Sequence, residues 1–135
     1  MKRFSAYRDH QVFNAPNEQL VVMLFETAIH RLQRAKDGMV SGHSGARVAW
    51  CEDLGRVRAI YIEMMNALDP AVAPELTRSL ALTYSWVIGR LSDVGRGGNP
   101  DDVDGILRVT NTLLDAFRQA NDAQSAEQEA AAEAG

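Results

Sequence analysis

The 135-residue sequence predicts an all-α, antiparallel four-helix bundle, and three observations carry that prediction. Apolar residues recur at three- and four-residue steps over four segments of about twenty residues each, the spacing that stacks side chains on one face of a helix. Each segment is separated from the next by residues that stop a helix: Ser41-Gly42-His43-Ser44-Gly45, then Asp69-Pro70, then Gly95-Arg96-Gly97-Gly98-Asn99-Pro100. Connections this short join antiparallel neighbours most simply.

Residues 1–15 read as an N-terminal arm with Phe4, Tyr7, Val12 and Phe13 as its apolar points. Pro16 opens the first helix, expected over 17–39, with Val21, Leu24, Phe25, Ala28, Leu32, Ala35 and Met39 on its stripe. The second is expected over 46–68 through Trp50, Leu54, Val57, Tyr61, Met64 and Leu68, and ends where Pro70 disfavours helical geometry at Asp69. The third is expected over 74–94, packing through Leu76, Leu80, Tyr84, Val87 and Leu91 and stopping at Gly95.

The fourth helix has the clearest start. Asn99 can cap, Pro100 fits the first helical position, and Asp101 and Asp102 complement the positive end of the dipole. Val103, Ile106, Thr110, Leu113, Phe117 and Ala120 then form a bundle seam. Beyond Asp122 only Ala, Glu, Gln, Ser and Gly remain, so residues 123–135 are expected to be a frayed helix or a disordered acidic tail. The expected organisation is thus an N-terminal arm (1–15), the bundle itself (16–122) and the tail (123–135).

Composition excludes several classes. A net charge of −4 argues against nucleic-acid binding, which needs a basic stripe, and the cluster of Arg31, Arg34, Lys36, Arg56 and Arg58 alternates with apolar positions as solvated faces do. Cys51 is the single cysteine, which excludes an intrachain disulfide and a cysteine-rich metal site and fits a reducing compartment. No apolar run approaches the roughly 20 residues of a membrane helix, and Met1-Lys2-Arg3 is followed by polar residues rather than a signal-peptide core. The expectation is a cytoplasmic protein with no membrane insertion.

Catalytic chemistry finds little support. His30 lacks the lysine and glycine, three and four residues on, of phosphotransfer bundles; Gln33 and Arg34 stand there. Glu26 and His30 share a helix face but are too few for a zinc site. Gly95, Gly97 and Gly98 follow no strand and precede no Lys-Ser/Thr pair, so a turn is expected rather than a phosphate loop. No enzyme activity and no cofactor are expected.

What remains is surplus apolar surface. Successive helix residues point about 100° apart, so the six apolar side chains from Leu20 to Phe25 sweep round the axis and cannot all face one core. Ala59-Ile60-Tyr61-Ile62 with Met64-Met65, Leu80-Ala81-Leu82 and Trp86-Val87-Ile88 exceed a single stripe in the same way. Wide faces on helices with two neighbours are one reading, and grooves that accept a helical peptide are the other, which flexible methionines at 23, 64 and 65 suit. The candidate binding residues are Leu20, Val21, Val22, Met23, Leu24, Phe25, Ile62, Met65, Leu80, Tyr84 and Val87, with Tyr7 as a switch in the arm and Val22 and Ile62 expected to point outward.

Tyr7 follows Ala6, Pro16 precedes the first long stripe, and Leu20, Val21, Met23, Leu24, Phe25, Glu26, Ala28 and Ile29 run Leu-Val-x-Met-Leu-Tyr/Phe-Asp/Glu-x-Ala-Ile/Leu. In this pattern the chain resembles the flagellar secretion chaperone family (FliS). A second block holds Leu80, Tyr84, Arg90 and Leu91, and a third Leu113, Ala116 and Phe117. The chain departs from the family at Ala15, where Ser, Thr or Asp is usual, in its glycine-rich third connection, and at Leu114 and Phe117, where arginine and tryptophan are common. The resemblance implies a four-helix bundle, with the N-terminal arm packed against it, that binds the disordered C-terminal segment of flagellin, prevents premature polymerisation and docks on the export gate protein FlhA when loaded; self-association without client is left open. It also places Tyr7 near the groove in the free protein. A rival of another class is a homodimeric helical structural or signalling module, its surplus faces forming a subunit interface.

Overall fold

The helix-stopping residues of the sequence become the corners of the molecule. A computed structural model describes residues 15–134, with side chains from Glu18 onward. Its elements are α1 (Ala15–Ser41), α2 (Ala46–Asn66), α3 (Pro74–Gly97), a 3-10 turn (Pro100–Asp102) and α4 (Val103–Ala134), with no strand among the described residues. The arm falls outside them. Helix α1 packs against both α2 and α4, whereas α3 leans mainly on α2 and touches α4 sparingly.

The third connection differs from expectation. Helix α3 continues through Gly95 to Gly97 and ends at Gly98, which takes the left-handed conformation (φ 68°) and donates its N–H to the Val94 carbonyl at 2.8 Å. A Cβ at Gly98 would meet the Trp50 ring at an ordinary 3.4 Å, so it is the left-handed backbone rather than space that calls for glycine here. Buried Val94, a turn beyond Leu91, holds the extra helix in place. Asn99 does cap, accepting the Asp101 N–H at 3.0 Å, but what it caps is the 3-10 turn, and α4 proper begins at Val103. Helix α2 stops at Asn66, two residues early, and Asp69 organises the turn by accepting the Ala71 N–H at 2.9 Å.

The basic residues of α1 are not simply a solvated face. Arg31 donates to Asp53 at 2.9 Å and Arg34 approaches the other carboxylate oxygen at 3.6 Å, while Lys36 reaches Asp104 at 2.7 Å. Asp53 is buried, so these arginines are the groups that make its position on α2 tolerable. The Asp104 hydrogen bond also raises the Lys36 pKa. Of the two expectations for the tail, helix holds through Ala134, with residues 126–134 exposed and packed on nothing described. Its Ala, Glu and Gln content gives the helix propensity that packing does not.

One aromatic ring from each helix meets at the centre. Phe25 lies edge-on to Tyr61 (centroids 6.0 Å apart) and beside Phe117 (5.4 Å), and Tyr61 lies edge-on to Tyr84 (5.7 Å). The Tyr61 hydroxyl is 2.6 Å from Thr110 Oγ1, and Thr110 lies 2.8 Å from the Ile106 carbonyl. A carbonyl can only accept, so Thr110 donates to Ile106 and Tyr61 donates to Thr110. This order makes the pair unequal. Tyr61→Phe leaves Thr110 with its acceptor and is expected to cost about 1 kcal/mol, while Thr110→Val strands a buried phenol and is expected to cost about 2–3 kcal/mol. Urea denaturation of both variants checks the ranking.

Candidate functional site: an apolar groove at one end of the bundle

The inward stripe of α3 outruns its packing. Leu91, Val87 and Tyr84 are buried, Leu80 is half-buried, and Leu76, on the same face, is 60% exposed. Here the apolar side chains line a groove of about 350 Å³ instead of meeting a neighbouring helix. Leu20 and Val21 enter from the start of α1, Met64 from the end of α2, and Leu68 and Val72 from the connection. Leu76, Leu80 and Tyr84 form the α3 wall, and Phe117, Ala120 and Asn121 the α4 wall. The antiparallel order brings the start of α1, the α2–α3 connection and the distal half of α4 to this one end.

Few polar groups interrupt the lining. Glu18 and Asp69 stand at its edge, and burial raises the Glu18 pKa. Tyr84 is 0% exposed, yet its hydroxyl has no hydrogen-bond partner among the described residues, and neither has Asn121 Oδ1. Burial also acts on the two phenols. It pushes Tyr61 up to about 12 against the lowering effect of the Thr110 hydrogen bond, and it raises Tyr84 further, with a smaller contribution from Tyr61.

The sequence-derived candidates separate into distinct environments. Leu20, Val21, Leu80 and Tyr84 meet in the groove. Val22, Leu24 and Met65 are half-buried against the core, and Phe25 and Val87 are fully buried within it. Ile62 is half-buried outside the groove. Val22 does not point outward: it lies one turn before Phe25 and shares its side, whereas Met23, two residues before Phe25, faces the opposite way at 60% exposure. Tyr7 lies outside the described residues.

Sequence reading missed Leu68, Val72, Leu76, Phe117 and Asn121 as groove residues. For Leu76 the signal was present, an apolar residue on the α3 stripe in the helix's first turn, where a neighbour is least assured. The alternative sites do not assemble. Glu26 pairs with Arg118 of α4, His30 and His43 are exposed, and no group of three metal-ligating side chains occurs among the described residues. No described helix is long and apolar enough to cross a membrane.

The class so defined is an all-α bundle with an apolar groove at one end that its own described side chains do not fill. Comparison with known proteins makes it particular. The family model described as Flagellar protein FliS matches residues 1–124, and the chain belongs to the FliS family. A curated relative, Flagellar secretion chaperone FliS of Campylobacter jejuni subsp. jejuni serotype O:6, is 28% identical over 125 residues, spanning 93% of this chain and 95% of that protein.

The buried phenols predict an alkaline limit to the fold. Their folded pKa values lie above the unfolded value near 10, so the neutral-phenol fold is at full stability below pH 10 and loses it as pH rises through 12. For Tyr61 alone the loss is about 2–3 kcal/mol. In a Tyr7→Phe background, phenolate absorbance is expected to rise only near pH 12, in step with loss of helical circular dichroism.

Proposed function

We propose that this chain is a cytoplasmic flagellar export chaperone that binds the disordered C-terminal segment of flagellin, prevents its premature polymerisation and assists its delivery to the flagellar type III export apparatus. The carrying observation is the apolar groove on a bundle of the FliS family. The name of the Campylobacter relative points the same way. The work is binding rather than catalysis. An amphipathic segment that folds as it docks loses conformational entropy, so it must bury much apolar surface to be held. The groove offers such surface, and the exposed Leu82 and Trp86 form a separate apolar area on another face of α3. The loaded chaperone then docks on the export gate protein FlhA.

Calorimetric titration with the C-terminal segment of flagellin from the same genome tests this. One-to-one binding with a negative heat-capacity change is expected. Failure of every flagellin encoded there to bind would sink the reading, and a tight dimer indifferent to the segment is what the homodimeric module would give.

The arm is the proposed regulator. Phe4, Tyr7 and Phe13 are apolar for a solvated terminus, and a segment that shields the groove must be displaced before client enters. Deleting residues 1–12 is expected to tighten client binding and promote self-association. An arm that clasps the client instead would make the deletion weaken binding, and hydrogen exchange separates the two: a shield loses protection on client binding and a clasp gains it.

A further inference from the structure

Two buried polar atoms in an otherwise apolar groove say how its occupant is held. Tyr84 is 0% exposed and packs edge-on to Tyr61, a place phenylalanine would fill equally well. Tyr61 shows what a phenol in this cluster ordinarily has, a hydroxyl paired at 2.6 Å to Thr110. The Tyr84 hydroxyl has no such partner among the described residues. Across the groove on α4, Asn121 Oδ1 is in the same position. Buried polar atoms are almost always paired, so each such exception needs a reason.

We propose that Tyr84 and Asn121 bind the main chain of the client segment, and that the groove therefore takes this segment where its backbone is extended or at a helix end, not in mid-helix. The inference rests on the reading of the groove as the client site. An aliphatic side chain lying between α3 and α4 satisfies neither atom. A peptide unit satisfies both, because its carbonyl accepts from the Tyr84 hydroxyl and its N–H donates to Asn121 Oδ1. In the middle of a helix those groups are already consumed by the helix itself. They are free only in the first and last turns or in an extended stretch. The apolar walls, Leu20, Leu68, Leu76, Leu80 and Phe117, then take the side chains on either side of that peptide unit.

Titration of the full chain with a synthetic peptide of flagellin's C-terminal segment tests this, using Tyr84→Phe and Asn121→Ala together with amide-to-ester replacements along the peptide. Tyr84→Phe should unfold at the same denaturant concentration as wild type or a higher one, since it removes an unpaired buried hydroxyl, yet bind the peptide about 5–20-fold more weakly. Asn121→Ala should weaken binding by a similar factor. At least one ester should weaken binding to wild type and lose its effect in Asn121→Ala, which a side-chain contact would not produce. Wild-type affinity in both variants, no sensitive ester, or a Tyr84→Phe protein that is less stable each overturns the main-chain contact while leaving the chaperone reading intact. A wild-type chain that does not bind the peptide overturns both.

Discussion

The contact on which the rest of this bundle depends is the meeting of Phe25, Tyr61, Tyr84 and Phe117, one ring from each helix. Edge-to-face packing constrains the angle as well as the distance between rings, so the cluster sets the relative rotation of the four helices where an all-aliphatic core would tolerate several. The Tyr61 hydroxyl adds a second constraint by donating to Thr110 on α4. Because α3 touches α4 so little, its register against the bundle is inherited through α2, by way of the Tyr61–Tyr84 contact. The groove wall that Tyr84 and Leu80 form is therefore positioned by the core beneath it.

The two ends of the bundle are built differently. At the far end Trp50 sits between Gly38 and Gly98, each of which a Cβ would bring within 3.4 Å of the ring, and Arg47 lies 5.0 Å over its face. Lys36–Asp104 and Arg90–Asp102 tie α1 and α3 to the start of α4, and the Arg31–Asp53 pair ties α1 to α2. At the groove end most wall residues are apolar and Leu76 and Val72 face solvent, although Glu26–Arg118 still ties α1 to α4 beside Phe117. A polar lock at one end lets the other remain apolar and unfilled without loss of register, which is the arrangement a binding groove requires.

Helix number, order and most boundaries were legible because each depends on local chemistry: period-3.6 stripes, Pro74 in a first turn, glycine after the third helix. The end of α3 was misplaced by three residues because three glycines compete there and only Gly98 takes the left-handed conformation that ends the helix. Part of the groove was legible as surplus apolar residues, Leu20, Val21, Leu80 and Tyr84. What no periodicity reveals is where a stripe stops being covered. Leu76 and Val87 belong to one stripe and read alike, yet one is in the groove and the other in the core, because coverage depends on how long the neighbouring helices run beside them. Asp53 was illegible for the same reason, since its partners lie on another helix.

Under the proposed function, the groove has to hold its client firmly enough to keep it from polymerising and still surrender it unfolded. A deep pocket filled by one anchor residue would put most of the binding energy into one contact and slow release. A groove walled by medium-sized aliphatic side chains spreads that energy over many small increments, of about 25 cal/mol per Å² buried, so a client can be peeled away stepwise. Two polar atoms without a partner among the described residues add direction to such a groove without much depth. They cost the empty chaperone something, which favours occupation, and they reward a peptide unit rather than a particular side chain. Recognition of that kind tolerates variation in the client's sequence while still fixing where along the client the groove engages.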